Sequence, residues 1–377
     1  MKVAFFFTYG YSLKSWENSG ILQRELKILK ELSKKYKYKF TLITYGDNSD
    51  LKLLNKSEDF EVIPIYSLLK ESKYKYINLM KSFLIPFKIK KLIDTHDIIH
   101  QHQLQGAWVS ILTKLINNIP LLVRTGYDVL TFAKYESKSK FKIKLFKLLT
   151  KYSLKFCDTY TVTSKSDFSI IKTEFSKYIN KVKIRPNYVD ILDSKDVLQR
   201  PRNKILSVGR LVDQKNFEKL IIEFTNSKDN IIIDIIGTGE LENQILKKAN
   251  TLNVKVNLLG NLSNNELMKL YQNYKFYIST SKFEGNPKSI LEAMSAGCIV
   301  IASNIKNHSE IIEDNKSGVL FDLNNPSLIK LINNLNQNES LCREISNNAT
   351  SYIYNNNSID ILSKNIDKDY IDLINTA

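Results

Sequence analysis

Short apolar runs alternate with longer amphipathic stretches along the whole chain. The first half contains the runs KVAFFF, FTLITYG, DIIH, LLVRTG and DTYTVTS, and the second half contains KILSVG, IIIDIIG, VNLLG, FYIST and IVIAS. Such runs are typical of strands that are buried on both faces of a parallel sheet. The stretches between them have helical spacing, as in 18–36, 214–226, 240–251 and 264–272. The pattern therefore predicts an α/β protein with two doubly wound, Rossmann-like parallel-sheet domains.

The polar segment 185–203, RPNYVDILDSKDVLQRPRN, separates the two series of strands and contains two prolines. We therefore predict an amino-terminal Rossmann-like domain over 1–190 and a carboxy-terminal one over 191–350. Residues 351–377 are predicted to form a final helix that crosses back to the first domain.

Two segments of the first half combine lysines with apolar side chains. In 140–156, KFKIKLFKLLTKYSLKF, a stripe of lysines runs beside an apolar helical stripe that consists of Phe141, Leu145, Leu148, Tyr152 and Phe156. This pattern fits a helix on a membrane surface, and it fits equally well a core-facing helix with a solvated lysine face. The segment 73–93 mixes lysines with tyrosine, phenylalanine and leucine around Pro86, which is more typical of an exposed apolar hairpin than of a core element.

Composition excludes several classes of protein. With 377 residues, of which 43% are apolar, the chain is not mainly disordered. No run approaches the roughly 18 apolar residues of a membrane-spanning helix, and we interpret MKVAFFFTYG as a first strand rather than a signal peptide. The three widely spaced cysteines, Cys157, Cys298 and Cys342, indicate neither a disulfide framework nor a zinc site, so a reducing cytosol is expected.

The net charge of +16 lies entirely in the first half of the chain. Residues 1–200 contain 36 lysines and arginines against 19 acidic residues, whereas 201–377 contain 19 against 20. A lysine-rich genome would raise the lysine content of both halves, so the asymmetry favours an acidic partner for the first half. Anionic membrane, nucleic acid and an acidic acceptor are the candidates.

Two glycine-containing strand ends in the second half suit the binding of a diphosphate. Gly209 ends the strand ILSV and is followed by Arg210 and, after five more residues, by Lys215. Glycine permits close approach of the backbone, arginine can hold phosphate oxygens with two hydrogen bonds, and lysine adds a second positive charge. Gly237 similarly ends the strand IIIDII, and no third glycine completes a dinucleotide-binding fingerprint. Both lie at carboxyl ends of predicted parallel strands, where open α/β sheets bind ligands.

The third cluster, EGNPKSILEAMSAG over 284–297, contains two glutamates eight positions apart. Asn286 suits an N-cap and Pro287 suits the first position of a helix over about 287–296. Glu284 would then precede a helix end that favours anions, and Glu292 would lie about two turns inside. Taken alone, two such glutamates are more often a loop charge and a solvated helix residue.

These clusters occur in an order that resembles family 4 of the retaining glycosyltransferases, which have the GT-B fold of two Rossmann-like domains facing a cleft. The similarity covers roughly 180–325, through SVGRLVDQKN, IIGTGELE, FYISTSKFEGNPKSILEAMSAG and EIIEDNKSGVLF. It implies that the donor is a nucleotide-diphosphate-sugar, expected to be a UDP-sugar, with no metal and no further cofactor. The residues that it implies contact the donor are Gly209, Arg210, Lys215, Gly237, Glu284, Gly285, Asn286, Pro287, Lys288 and Glu292.

The same resemblance assigns roles within that set. Arg210 and Lys215 would neutralise the diphosphate as the sugar leaves, and Glu284 would lie against the transferred sugar. The backbone amides of 285–288 would contact sugar and phosphate, and Glu292 would accept hydrogen bonds from the ribose. Because Gly285, Asn286 and Pro287 replace the family's common Gly-Phe-Gly, the identity of the donor stays open.

The first half departs further from the family. Many members carry a histidine after a strand like PLLV, where this chain has Arg124, Gly126 and Tyr127. Tyr127 and His102 are the catalytic candidates in its place, although Tyr127 is also compatible with the core. His100 and His102 are expected to point to opposite sides of the sheet, with His100 structural. Gly20, before a helix, is the candidate for the glycine loop near the donor phosphates.

The expected function is therefore transfer of a hexosyl or N-acetylhexosaminyl group to a membrane-associated or anionic glycan or glycolipid acceptor. Bacterial surface-glycan synthesis, such as that of lipopolysaccharide or capsule, and a cytoplasmic location on the inner face of the membrane would follow. The alternatives are a non-catalytic GT-B partner subunit and a sugar-nucleotide epimerase, which the basic first half disfavours. Nucleic-acid binding would explain the charge alone, and no nucleic-acid module is recognisable.

Overall fold

The structure is a computed structural model that describes residues 1–54, 59–126, 132, 135, 139–192, 195–225, 227 and 230–376. The chain forms two compact units, of which the first comprises Met1–Arg185 with Leu362–Ala377 and the second comprises Pro186–Ile361. The division falls inside the polar segment 185–203, five residues before the predicted end of the first domain. The range 351–377, predicted as one final helix, contains the end of a helix over Glu339–Asn356 and a second helix over Ile359–Thr376.

Seven strands of the described chain form the parallel sheet of the first unit, in the order β3-β2-β1-β4-β5-β6-β7. Their bounds are β1 (Lys2–Phe6), β2 (Lys39–Thr44), β3 (Phe60–Pro64), β4 (Ile98–Gln101), β5 (Leu121–Arg124), β6 (Thr159–Val162) and β7 (Val182–Ile184). The helices are α1 (Leu13–Asn18), α2 (Leu22–Tyr36), α3 (Ile65–Leu68), α4 (Lys75–Ser82), α5 (Ile85–Ile93), α6 (Ala107–Asn117), α7 (Lys140–Phe156) and α8 (Lys165–Glu174).

The helices that connect β3 to β4, β4 to β5 and β5 to β6 share one face of this sheet. Right-handed crossovers that move in the same direction along a sheet place their helices on the same side. Accordingly α5 packs against α6, and α6 packs against α7. These helices therefore form one continuous layer of the first unit.

Six strands of the described chain form the parallel sheet of the second unit, in the order β10-β9-β8-β11-β12-β13. Their bounds are β8 (Lys204–Val208), β9 (Ile232–Ile236), β10 (Lys255–Leu258), β11 (Phe276–Ser279), β12 (Ile299–Ser303) and β13 (Val319–Phe321). The helices are α9 (Phe217–Glu223), α10 (Glu242–Thr251), α11 (Asn264–Tyr271), α12 (Lys288–Ser295), α13 (Lys306–Ser309), α14 (Leu328–Gln337), α15 (Glu339–Asn356) and α16 (Ile359–Thr376), whose later part belongs to the first unit.

Burial on both faces of the second sheet explains its continuous apolar runs. Alternate residues of one strand enter two separate apolar clusters, as Ile205 and Leu206 do on β8. Phe276 and Tyr277 divide in the same way on β11. Because successive side chains of a strand point to opposite faces, a strand between two helical layers needs apolar residues at every position. The predicted fold class, two Rossmann-like parallel-sheet domains, is thus confirmed.

Ion pairs attach the end of α16 to the first unit. Asp369 is fully buried and accepts two hydrogen bonds from Arg185, at 2.7 and 2.6 Å, and one from Lys183 at 2.9 Å. Tyr370 is also buried, and its hydroxyl lies 2.5 Å from Nδ1 of His100 on β4. The sequence predicted the return of this segment to the first domain from its position alone.

Within the described residues, no helix combines the length and the apolar character needed to cross a bilayer. The structure shows which side of α7 faces the core. Phe141, Leu145, Leu148 and Tyr152 are exposed, whereas Thr150, Ser153 and Leu154 face the core. The predicted apolar stripe is therefore not the core-facing side of this helix.

Candidate functional site

Lys215 and Glu284 form a buried ion pair at the carboxyl edge of the second sheet. Lys215 ends a single 3-10 turn, Asp213–Lys215, a few residues after β8, and Glu284 lies in the loop that follows β11. The Nζ atom of Lys215 is 2.6 Å from Oε1 of Glu284, and their side chains are only 17% and 7% exposed. Two residues that the sequence singled out in different motifs thus form one electrostatic unit.

Gly209 makes this pair possible because it leaves room for the lysine stem. A Cβ atom at position 209 would lie 2.8 Å from Cε and 3.0 Å from Cδ of Lys215. The stem therefore crosses directly over the glycine on its way to Glu284. Gly237 has a different function: at its φ of +134°, a Cβ would lie 2.0 Å from the carbonyl oxygen of Gly209. Glycine at 237 thus lets the ends of β8 and β9 approach each other, a packing reason that is independent of any ligand.

A network of hydrogen bonds connects the turn at 213–216 to the loop after β11. Gln214 donates through Nε2 to the carbonyl oxygen of Phe283 at 2.9 Å and to Oε2 of Glu284 at 3.3 Å. The hydroxyl of Thr280 donates to the carbonyl oxygens of Lys215 and of the following residue, at 3.1 and 2.9 Å. Gln214 is a site residue that sequence reasoning missed, although its position next to Lys215 could have drawn attention to it.

The amino end of α12 differs by one residue from the prediction. The helix begins at Lys288, Pro287 occupies the N-cap position, and Asn286 is not the cap. Instead, Oδ1 of Asn286 accepts the backbone N–H of Asn187 at 2.9 Å, and its carbonyl oxygen accepts the side-chain amide of Asn187 at the same distance. The prediction of an Asn286 cap is wrong because this distant amide takes the side-chain oxygen. Proline has no side chain that could cap the helix, so the first turn keeps the electrostatic preference of a helix end for anions.

Gly285 is buried between Glu284 and this helix, and its carbonyl oxygen accepts a hydrogen bond from Nδ2 of Asn307 at 2.8 Å. Lys288, the first residue of α12, places its ammonium 5.9 Å from the centre of the Tyr188 ring. Arg210 directly follows Gly209 and is exposed. Of these three cations, Lys215 contacts the Glu284 carboxylate, Lys288 begins α12, and Arg210 is exposed next to Gly209.

Glu292 lies inside α12 and is only 5% exposed. The hydroxyl of Tyr271 donates to its Oε2 at 3.2 Å, and Nδ2 of Asn264 donates to its Oε1 at 3.4 Å. Burial and the neighbouring Glu292 carboxylate raise the pKa of Tyr271 well above its ordinary value, so the tyrosine remains a hydrogen-bond donor. A carboxylate has about four acceptor positions, so it can accept hydrogen bonds from several groups at once.

His308 is a second residue that the sequence did not single out. It is fully buried on α13, where its Nδ1 donates to the carbonyl oxygen of Ser303 at 2.8 Å. Burial lowers its pKa to about 4, an effect that the Glu284 carboxylate partly offsets. The ring is therefore neutral at pH 7. A lone histidine after a strand carries no distinctive sequence signal, which is why it escaped notice.

His100 and His102 share one side of the first sheet, contrary to expectation. The Phe5 ring lies 4.9 Å from the His100 ring and 5.3 Å from the His102 ring. Residues two positions apart on a strand point to the same face, so the expectation of opposite sides was wrong. His100 is buried and contacts Tyr370, whereas Nε2 of His102 is 3.6 Å from Oε2 of Glu25.

In the early glycine loop, Gly20 precedes α2, and a protein carboxylate occupies the amino end of the other helix, α1. Gly20 is exposed between α1 and α2 and has a φ of +71°. The buried Asp50 accepts the backbone N–H groups of Leu13 and Lys14, at 3.2 and 3.0 Å, at the start of α1. Tyr127, the other catalytic candidate of this half, lies outside the described residues.

Comparison with known proteins gives two adjoining family matches. The family model described as "Glycosyl transferases group 1" matches residues 190–352, and the one described as "Glycosyl transferase 4-like" matches residues 22–164. The GalNAc-alpha-(1->4)-GalNAc-alpha-(1->3)-diNAcBac-PP-undecaprenol alpha-1,4-N-acetyl-D-galactosaminyltransferase of Campylobacter jejuni is 28% identical over 58% of this chain and 62% of its own length. The UDP-Gal:alpha-D-GlcNAc-diphosphoundecaprenol alpha-1,3-galactosyltransferase of Escherichia coli is 29% identical over 65% of this chain and 67% of its own.

A solved structure extends the similarity to the whole chain. Sucrose-phosphate synthase from Thermosynechococcus elongatus superposes with a TM-score of 0.81 over 100% of both chains, at 15% identity. At that identity the likeness concerns the fold. The curated relatives, in contrast, are matched over about two thirds of their length.

Proposed function

The chain belongs to family 4 of the glycosyltransferases, which have the GT-B fold, and on that premise we propose that it is a retaining, metal-independent enzyme. It transfers a hexosyl or N-acetylhexosaminyl group from a UDP-sugar to a lipid-linked acceptor in bacterial surface-glycan synthesis. The names of both relatives support the acceptor, since each contains an undecaprenol linked through phosphate, and one also names a UDP-sugar donor.

The observation that carries the proposal is the Lys215–Glu284 pair, whose lysine stem crosses Gly209, the residue before Arg210, and whose glutamate precedes α12. In the transfer, the bond between the sugar and the diphosphate breaks and negative charge accumulates on the leaving diphosphate. A bond to an acceptor oxygen forms, and the proton of that acceptor hydroxyl passes to the leaving diphosphate. Lys215 and Arg210 supply fixed positive charge where that charge develops, and the helix end adds its dipole. In this proposal, two side-chain cations supply the charge stabilisation that a metal ion supplies in other enzymes.

Glu284 has two functions in this proposal. It fixes the Lys215 ammonium through a 2.6 Å contact, and it faces the transferred sugar, whose hydroxyl groups can donate to its oxygens. Glu292 receives the ribose hydroxyls, with Tyr271 and Asn264 holding its carboxylate in one orientation. The two glutamates thus bind different parts of the donor, the sugar and the ribose. They do not act as a general acid and a general base on either side of one bond.

The test is release of nucleoside diphosphate from a panel of UDP-, GDP- and dTDP-sugars, with and without an extract of bacterial lipids. Arg210→Ala is the inactivated variant. Arg202→Ala is the matched control, because Arg202 is also exposed in the second unit and pairs with Glu339 at its surface. We expect release from a UDP-sugar that rises with the extract, disappears in Arg210→Ala and persists in Arg202→Ala.

Other outcomes of this test would support one of the alternative functions or contradict the retaining mechanism. Conversion of a nucleotide-sugar into its epimer without release of nucleoside diphosphate would establish the epimerase and overturn the transferase. Binding of UDP without any release, by the pure chain and by the chain with extract, would favour a partner subunit that lacks activity. An NMR spectrum of the product that shows an inverted anomeric configuration would contradict the retaining mechanism.

A further inference from the structure

We propose that the first unit binds an anionic lipid bilayer through one defined face, formed by the segment 74–92 and by α7. This inference goes beyond the proposed function, since binding requires no donor and no turnover, and it rests on that function only for the expectation that the acceptor is a lipid. The face is called here the lysine-rich apolar surface. Its apolar members are Tyr74, Tyr76, Ile77, Leu79, Met80, Phe83, Leu84, Phe87, Leu92, Phe141, Leu145, Leu148 and Tyr152.

These side chains are exposed to an extent that folding alone does not explain. The exposed fraction is 80% for Tyr76, 77% for Phe141 and 70% for Met80. On α7 the exposed apolar residues recur at helical spacing, while a different side of the same helix packs on the core. Single exposed apolar residues are ordinary, but contiguous groups of them mark surfaces that bind a partner or a membrane.

The two segments belong to one helical layer of the first unit. Helix α6 lies between α5 and α7 and packs against both. On the α5 side, the indole N–H of Trp108 donates to the hydroxyl of Ser82 at 2.8 Å, and Nδ2 of Asn117 donates to the carbonyl oxygen of Lys90 at 3.0 Å. These hydrogen bonds fix the segment 74–92 onto the layer that also includes α7.

The charge of this surface is predominantly positive. The segment 74–92 and α7 contain eleven lysines and no aspartate or glutamate. One of these lysines, Lys147, pairs with Glu174 of α8 at 2.9 Å, and the other ten remain in excess. On α7 the lysines flank the exposed apolar stripe, the arrangement of a helix that lies in a membrane interface with its apolar residues inserted and its lysines at the headgroups. A bilayer with anionic lipids satisfies both features together, because it offers hydrocarbon and negative charge at the same surface.

Other occupants match only part of the pattern. Two copies of the chain would bring the lysines of one surface against those of the other, which is repulsive. A protein partner is disfavoured because lysine is depleted in protein interfaces. Nucleic acid would neutralise the lysines, but its phosphate backbone offers nothing apolar to Phe141, Leu145 or Met80.

The experiment is flotation of the full chain with vesicles of phosphatidylcholine alone or with 40% phosphatidylglycerol, at several salt concentrations. The charge variant is Lys144→Glu with Lys151→Glu, at two exposed lysines of α7. Its matched control is Lys247→Glu with Lys330→Glu, at two exposed lysines of the second unit. The apolar variant is Phe141→Ser with Leu145→Ser, which keeps the charge. Its control is Tyr354→Ser, at an exposed tyrosine of α15.

We expect binding to the anionic vesicles that falls with salt, since each lysine contributes roughly five-fold to the affinity. The α7 charge variant should bind at least roughly 25-fold more weakly and its control should be unchanged. The apolar variant should bind at least roughly 100-fold more weakly, because each of the two inserted side chains contributes about as much as burial in a core.

Three results would overturn the proposal. These are absence of flotation with anionic vesicles, equal losses in the α7 variants and their controls, and a wild-type dimer in size-exclusion chromatography with light scattering that Phe141→Ser converts to a monomer. A chain that floats as expected but releases no nucleoside diphosphate would support the surface and contradict the proposed transfer. The reverse result would do the opposite, so the two proposals fail independently.

Discussion

The Lys215–Glu284 pair makes a specific prediction about the stability of the second unit. Each single substitution, Glu284→Gln or Lys215→Met, should destabilise the protein strongly, whereas the double variant should recover much of the loss. Removing one member leaves the other charge buried without its partner, and removing both leaves only neutral groups of similar shape. The double variant should nevertheless release no nucleoside diphosphate, because it lacks the charge that stabilises the leaving group.

The magnitude follows from the geometry. At 2.6 Å and an effective dielectric constant of about 20, the attraction between the two charges is about 6 kcal/mol, most of which offsets their desolvation. Breaking one side of a buried pair costs about 3–5 kcal/mol, and the 17% exposure of Lys215 places this pair at the lower end. A loss of about 3 kcal/mol corresponds to a decrease in Tm of about 6–12 °C for a unit the size of Pro186–Ile361.

The assay is a double-mutant cycle followed by calorimetry or thermal unfolding. The same cycle on Arg202 and Glu339 is the control, because their 2.7 Å pair lies in the same unit but both side chains are more than half exposed. We expect a coupling free energy of at least about 2 kcal/mol for the buried pair and below about 1 kcal/mol for the exposed pair. Additive single effects at Lys215 and Glu284, within about 0.5 kcal/mol, would refute the reasoning.

Three further predictions concern neighbouring residues. Gly209→Ala should keep the fold and lower turnover, because the added Cβ would displace the Lys215 stem. Gly237→Ala should instead lower Tm, because its Cβ would lie 2.0 Å from the Gly209 carbonyl oxygen. Measurements of thermal unfolding and of nucleotide release together distinguish the two effects. The depressed pKa of His308 means that its neutral ring stabilises the fold above about pH 6.5, and that this stability, on the order of 3 kcal/mol, is lost as the pH falls toward about 4. The Tm of His308→Leu should lack this part of the pH dependence, and identical pH profiles would contradict the assignment. Glu292→Ala should mainly raise KM for the donor, about ten-fold or more for the lost charged hydrogen bonds, while Glu284→Ala should mainly lower kcat; equal or negligible effects would contradict the division of roles.

The sequence by itself determined the fold class and identified the candidate site residues of the second unit. Strands covered on both faces must be apolar at nearly every position, so β8, β9, β11 and β12 are visible as continuous runs. The glycines, cations and glutamates of the donor motifs follow those runs directly, and parallel strands bring their carboxyl ends to one edge. Three strands near the sheet edges were missed. β7 and β13 have only three residues each, and the run of β3 is interrupted by the exposed Glu61.

Only the tertiary structure decided which of these groups touch. Lys215 and Glu284 are 69 positions apart, and Asn187 and Asn286 are 99 apart, so no local pattern specifies either contact. The same holds for the buried His308, whose neutral state comes from packing and not from its neighbours in sequence.

The orientation of α7 is the clearest case of a choice that the sequence left open. Its periodicity defines an apolar stripe with lysines beside it, and that pattern is compatible with a stripe facing the core or facing outward. The structure buries Thr150, Ser153 and Leu154 instead, since a side with small residues fits closely against the sheet and α6. A periodic pattern identifies which residues share a side of a helix, but the shape of the neighbouring elements determines which side is buried.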